Sequence, residues 1–226
     1  MLKGVIWDCG GVIINFDASI TDRQLSAACK ISPEKVNSFL YGSSAKEREF
    51  NAGAIEDYYL GRCDSATFYQ TVRQGLDIQL SEREFELAWN ATLTTPNAGI
   101  IRFIHELGAR SLQQAVLSST NPWHWDRMNE LSKIYPYPSL EDFLTRKRIV
   151  TSYDIGHKKP APELFAAACA ALGLPKEECI YVDDIKKYTD AALAWGMGAA
   201  VHVDITRTDF VELCINGIKS LVYPTR

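Results

Sequence analysis

Asp8 closes an apolar run, Leu2-Lys3-Gly4-Val5-Ile6-Trp7, and opens directly into Cys9-Gly10-Gly11-Val12-Ile13-Ile14. Three further apolar runs lead into residues that can do chemistry. Ala115-Val116-Leu117 runs into Ser118-Ser119-Thr120-Asn121, Arg148-Ile149-Val150 is followed by Gly156-His157-Lys158-Lys159-Pro160, and Cys179-Ile180-Tyr181-Val182 ends in Asp183-Asp184. If Asp8, Asp183 and Asp184 meet above one sheet, two like charges ~4 Å apart at an effective dielectric of ~20 repel by about 4 kcal/mol, so a cation is required. A hard divalent ion held by carboxylates, a backbone carbonyl and water meets that need, and magnesium suits it. Lys159 adds positive charge. A cation, a lysine and hydroxyl donors around one carboxylate form a phosphate site. Asp8 can then attack phosphorus to give an aspartyl-phosphate, splitting one hard hydrolysis into two easier steps. Magnesium and Lys159 neutralise the transferring group, while Ser118 and neighbouring amides hold its oxygens.

Each fragment also has an ordinary reading. A strand-ending Asp can simply begin a turn, Ser118-Ser119-Thr120-Asn121 can cap a helix, and Lys158-Lys159-Pro160 can be a solvated turn with proline in the following helix's first turn. A paired acid closing an apolar strand is costly unless it is used. The coincidence of four such tips, in this order, favours a site. The thiol of Cys9 reads as buried rather than nucleophilic, since alternation turns it away from Asp8 and no base stands near it in sequence.

The elements that must position these tips follow from periodicity. Leu2 to Trp7 reads as a buried strand broken by two glycines. Residues 19 to 92 read as helical throughout, with starts at Thr21-Asp22, Ser32-Pro33-Glu34, Asp64-Ser65 and the capping box Ser81-Glu82-Arg83-Glu84. After Pro96 helices alternate with short strands: a helix from Ala98 to Leu107, a strand at Ala115–Leu117, a helix from Trp123 to Lys133 and a strand at Arg148–Val150. Pro162–Leu172 is helical and stopped by Gly173, Cys179–Val182 is a strand, Thr189–Trp195 a helix, and Ala199–His202 the last strand. Alternation of this kind implies βαβ units, a parallel sheet and right-handed crossovers. The first strand belongs to that sheet, so the helical block is an insertion lying over the strands' carboxyl ends, where open α/β folds bind ligands.

With 226 residues, 46% apolar and 23% charged, the chain can bury a full core. The net charge of -4 argues against nucleic-acid binding, and no apolar stretch approaches the ~18 residues of a membrane span. The immediate start of the first strand leaves no room for a signal peptide. Six cysteines without CxxC pairs fit reduced thiols in the cytoplasm. A monomer or homodimer is expected.

The order Asp8-x-Gly-Gly-Val after a hydrophobic strand, Val-Leu-Ser118, Lys159-Pro160 and Tyr-Val-Asp183-Asp184 resembles the haloacid dehalogenase-like (HAD) hydrolase superfamily over essentially the whole chain. The match is nearest to the subgroup of bacterial glucose-1-phosphate phosphatases and the phosphatase domain of soluble epoxide hydrolases. Leu117-Ser118-Ser119-Thr120-Asn121 with His124, Lys159-Pro160-Ala161-Pro162-Glu163-Leu164-Phe165 and Leu60-Gly61-Arg62-Cys63-Asp64-Ser65-Ala66-Thr67-Phe68 carry that similarity. The resemblance implies an α/β, Rossmann-like core over residues 1–16 and 95–226, with a helical-bundle cap over residues 17–94. It implies Asp8 as nucleophile and metal ligand, Gly10 giving a carbonyl to Mg2+, and Asp184 as a further ligand with Asp183 in immediate support of the metal group. Ser118 and Ser119 would contact the phosphoryl group, with Gly11 and Asn121 as further phosphate contacts, and Lys159 would hold the nucleophile. The expected partner is a small phosphorylated metabolite, a sugar phosphate as first guess.

Three positions depart from the superfamily pattern. Gly10 stands where a second aspartate usually serves as general acid and base, a contribution of ~10² to 10⁴ in rate, although the glucose-1-phosphatase-like subgroup also has glycine. Tyr188 stands where Asn or Asp usually orients a metal-bound water, and Ser119 replaces an asparagine. Two other activities start from the same residues: dehalogenation on Asp8, for which Arg48 and Arg62 are available, and a weakly catalytic relative that binds a phosphorylated ligand or a protein. The aromatics Trp123, Trp125, Tyr135 and Tyr137 read as packing rather than interface. Tyr41, Glu47, Arg48, Tyr58 and Tyr59 lie where specificity contacts from the helical block can arise.

Overall fold

The computed structural model describes residues 1–42 and 54–223; Glu47 and Arg48 lie outside the described residues. Five parallel strands form the central sheet in the order β5-β4-β1-β6-β7. They are β1 (Gly4–Trp7), β4 (Gln113–Ser118), β5 (Ile149–Thr151), β6 (Cys179–Asp183) and β7 (Ala199–His202). The first strand is the middle one, flanked by β4 and β6, and all four of its residues are buried. A strand covered on both faces must be continuously apolar, which is how Gly4-Val5-Ile6-Trp7 reads.

Among the described residues, the stretch from 17 to 92 that follows the first core strand holds five helices: α1 (Ala18–Cys29), α2 (Pro33–Tyr41), α3 (Ala54–Tyr59), α4 (Ser65–Leu76) and α5 (Glu82–Asn90). Their start signals are physical caps: the side chains of Ser32, Asp64 and Ser81 accept from the backbone N–H groups of Lys35, Thr67 and Glu84. These helices close on their own core, with Tyr58 stacked on Phe68 at 4.4 Å and Phe85 stacked on Trp89 at 6.1 Å. Truncating one such buried aromatic costs about 3–5 kcal/mol, and these side chains form an apolar cluster of their own, with Trp123 of the later chain packed against it. Tyr41 and Tyr58 are spent in this packing.

The rest is α6 (Ala98–Ala109), α7 (Pro122–Ser132), α8 (Leu140–Leu144), α9 (Ser152–Ile155), α10 (Pro162–Leu172), α11 (Lys186–Trp195) and α12 (Phe210–Val222). They form two apolar layers, one on each side of the sheet. Where the chain leaves and re-enters the sheet region, β2 (Ile14–Phe16) and β3 (Leu93–Pro96) pair as an antiparallel ribbon. That ribbon, α12 and the first turn of α11 go beyond the sequence-based expectations. The aromatics behave largely as packing. Trp125 is buried and donates to Glu141 at 3.1 Å, Tyr137 stacks on His105 at 4.6 Å, and Tyr135 is fully exposed.

Candidate active site

Asp8 follows the last residue of β1, and its N–H donates to the Val182 carbonyl at 2.8 Å, extending the ladder beyond the strand. That bond fixes Asp8 beside Asp183, the last residue of β6, while Ser118 ends β4 on the other side. Lys159 reaches the same point from the loop before α10. Its Nζ lies 2.7 Å from Asp8 Oδ1 and 2.7 Å from Asp183 Oδ2, with all three side chains buried. Asp183 is saturated: Oδ2 also accepts from the Tyr181 hydroxyl, and Oδ1 accepts the Ile185 N–H at 2.7 Å. It stands behind Lys159 as support, and it also belongs to the group of carboxylates that could hold a metal.

Asp184 is different. Carboxylate oxygens of Asp8, Asp183 and Asp184 lie within 4.8 Å of one another, and Asp184 Oδ1 is buried with no hydrogen-bond partner. An orphaned anionic oxygen beside a second carboxylate is the donor set a hard cation takes. Gly11 makes the approach possible. Its φ is +93°, and a Cβ there would lie 2.5 Å from Asp184 Oδ2. The lysine ammonium therefore occupies one side of Asp8 and leaves the Asp184 side for an ion. The residues present fit magnesium.

The electrostatics agree. Burial drives the Asp8 carboxyl well above the usual carboxylate range; Lys159 opposes the rise, and Asp183 and Asp184 add to it. Burial and then Asp183 push Asp184 to about 6. Burial alone would pull the Lys159 ammonium down, but Asp183 and Asp8 more than offset it and hold it above its ordinary value. One ammonium among three carboxylates leaves the cluster electron-rich until a cation joins it.

A cavity of about 390 Å³ opens over this floor. Ser118, Ser119 and Thr120 line one wall. Ser119 Oγ accepts the Lys159 N–H at 2.9 Å, tying two of the loop tips together, and Ser152 braces the same loop by bonding both the N–H and the carbonyl of Thr120. Gly10 and Gly11 also line the cavity, and a Cβ on Gly10 would meet nothing within 4 Å. Asn121 does not line it. Its Oδ1 caps α7 by accepting the His124 N–H at 3.0 Å and also accepts Trp89 Nε1–H at 3.4 Å, so it is a structural cap behind the wall rather than a phosphate contact.

The roof comes from the helical block. Of the specificity candidates named from sequence and described here, Tyr59 alone lines the cavity; Tyr41 and Tyr58 do not. Its hydroxyl lies 3.0 Å from His124 Nδ1, and His124 Nε2 lies 3.2 Å from the Trp89 carbonyl. A carbonyl can only accept, so Nε2 carries the proton and Nδ1 accepts from the tyrosine. Burial holds His124 down at about 4, neutral at ordinary pH. Sequence reasoning placed His124 in a motif but gave no hint of this bridge, which joins residues 65 apart. Tyr188 sits by the floor with its ring 5.2 Å from Lys159 Nζ, a cation–π contact in place of the usual metal-side Asn or Asp.

The profile of the haloacid dehalogenase-like hydrolases matches residues 2–194. The chain belongs to this family. D-ribitol-5-phosphate phosphatase of Bacteroides thetaiotaomicron is 26% identical over 187 residues, 81% of this chain and 84% of that protein. Hexitol phosphatase A of Escherichia coli is 23% identical over 97% of this chain and 93% of its own length. A HAD family enzyme of Bacteroides thetaiotaomicron, solved in complex with magnesium and inorganic phosphate, superposes with a TM-score of 0.70 at 22% identity, covering 89% of this chain and 94% of that one. The α/β HAD-like fold expected from the four loop tips is the fold found, and the protein is a HAD-family hydrolase.

Proposed function

We propose that the protein is a magnesium-dependent phosphomonoester hydrolase that works through an aspartyl-phosphate on Asp8, inside the cytoplasm, on a small phosphorylated metabolite. The observation that carries this reading is the pairing of Asp8 with Lys159 on one side and with the orphaned Asp184 oxygen on the other. A dehalogenase needs no cation and gains nothing from that acidic side. Because both sequence relatives are named for polyol phosphates, sugar and polyol phosphates are the first substrates to test.

In this mechanism Asp8, Asp184 and the Gly10 carbonyl would hold magnesium, which would supply positive charge to the transferring phosphoryl group. Lys159 holds the Asp8 carboxylate in position and adds a second positive charge. Ser118, Ser119 and the backbone amides around Gly11 orient the phosphoryl oxygens. Residues 17–94 act as the cap, excluding water and selecting the alcohol, while residues 1–16 and 95–226 carry the reacting groups.

Asp8→Asn keeps the shape and removes the nucleophile. We expect phosphate release from a panel of metabolite phosphates to require magnesium in the wild type and to fall at least ~10³-fold in Asp8→Asn. Equal rates in the two proteins on every substrate would instead favour a ligand-binding relative.

A further inference from the structure

We infer that Tyr59 is the general acid and base of the reaction, supplying from the cap the proton that Gly10 cannot; this rests on the phosphatase reading above. The space beside Gly10 is open, so no side chain of the nucleophile loop fills the acid's place. In an in-line displacement the leaving oxygen departs on the side opposite the nucleophile. Asp8 is on the floor at the end of β1, so the leaving oxygen points to the roof, and the donor must stand there.

Among the other proton carriers that line the cavity, Lys187 stands exposed in the first turn of α11, and the rest are placed or occupied otherwise. Lys159 is committed to two carboxylates at 2.7 Å each. Tyr188 packs over that lysine, on the nucleophile's side. His124 is neutral and its one N–H faces the Trp89 carbonyl. Tyr59 comes from α3 in the roof and lines the same cavity as Asp8; its O–H donates to His124 Nδ1 at 3.0 Å in the resting site and turns from that nitrogen to the leaving oxygen in the reaction. Its oxygen is also beside the amide of Asn121, immediately after the Ser118-Ser119-Thr120 wall. With Asn121 Oδ1 engaged by His124 and Trp89, its Nδ2 is buried with no acceptor at hydrogen-bonding geometry. That N–H is the donor a transient phenolate needs. Burial keeps the Tyr59 phenol well above its ordinary value, so it holds its proton until an alkoxide develops.

The step balances. As the Asp8 oxygen bonds to phosphorus, the ester P–O bond breaks, and the departing oxygen takes the Tyr59 proton and leaves as alcohol. In the second half, water attacks the aspartyl-phosphate, its proton passes to the Tyr59 phenolate, and Asp8 is freed with release of inorganic phosphate.

Such an acid matters in proportion to how poor the leaving group is. The test compares kcat/KM, which reports phosphoryl transfer to Asp8, for D-ribitol 5-phosphate and p-nitrophenyl phosphate with saturating magnesium. Tyr59→Phe is expected to lower the ribitol phosphate value about 10²-fold more than the nitrophenyl value. Across alkyl and aryl phosphates, the wild-type rate should vary little with leaving-group basicity, a readout that needs no variant. Equal losses on both substrates, a steep wild-type dependence, or the selective loss appearing in Tyr188→Phe instead would each overturn the assignment. Failure of the wild type to hydrolyse either ester with magnesium would overturn the phosphatase reading itself, a distinguishable result.

Discussion

The chemistry rests on a few atoms whose neighbours were chosen by charge. Lys159 cannot be removed cleanly, because its loss leaves Asp8 and Asp183 buried without a counter-ion, a change that typically destabilises by about 3–5 kcal/mol. Gly11 gives a sharper probe. A methyl there would fall 2.5 Å from Asp184 Oδ2 on a backbone with φ +93°. Gly11→Ala should therefore destabilise the fold by roughly 1–3 kcal/mol and weaken magnesium binding at least tenfold by displacing Asp184. Titration calorimetry with magnesium alone checks this; unchanged affinity would show that Asp184 is not held where an ion needs it. Asp8, Ser118 and the Asp183-Asp184 pair stood out in the sequence because they close or follow apolar strands, whereas Lys159 comes from the loop before α10. The roles of Asp183 and Asn121 were not, since sequence shows that an acid or amide is present but not which atoms its neighbours have already taken.

Elements bring these residues together, and the joint between the two cores is where sequence was least informative. The ribbon of β2 and β3 has no hairpin turn to announce it, because its strands are separated by α1 to α5. Helix α12 lacks a start signal because the Asp209 carboxylate binds Arg207 at 2.9 Å instead of capping, and α11 begins at Lys186 without a side-chain cap. By contrast α10 was read with its full bounds, with Pro162 at its start and Gly173 in the left-handed conformation at its stop. His124 on α7 links across the joint, stacked on Trp89 of α5 at 5.0 Å and bonded to Tyr59 of α3. Its folded value of about 4 lies below the ordinary 6.5. Between those values the unfolded chain binds more protons, so stability is full above about 6.5 and is lost as pH falls toward 4. Relative to His124→Gln, which does not titrate, the wild type should lose about 2 kcal/mol between pH 7 and 4.5. Urea unfolding of both proteins at each pH measures it, and parallel pH curves would mean that His124 is charged or solvated in the fold.

At the scale of the whole molecule, two hydrophobic cores hold together a cluster of charges that disfavours the folded state until a cation arrives. Three carboxylates lie within 4.8 Å of one another with one ammonium among them. The Asp184 carboxyl is raised from 3.8 to about 6, so the folded chain holds that proton more tightly than the unfolded one. The associated stability is fully present below about pH 4 and is lost as pH rises through 6, leaving an ionised Asp184 that costs about 1–2 kcal/mol at pH 7.5 after allowance for its partial exposure. Asp184→Asn removes that charge. In the presence of a chelator the variant is expected to be more stable than the wild type by this amount at pH 7.5, with the difference shrinking in acid. Magnesium should reverse the order, since an ion binding only the folded state at 100 times its Kd adds about 2.7 kcal/mol, or roughly 5–10 °C in Tm for a chain of this size. Thermal melts of both proteins, with chelator and with magnesium, therefore predict a crossing. A wild type that is already the more stable protein in chelator, or an equal gain for both on adding magnesium, would place the cation away from Asp184 and remove the electrostatic reason for the site.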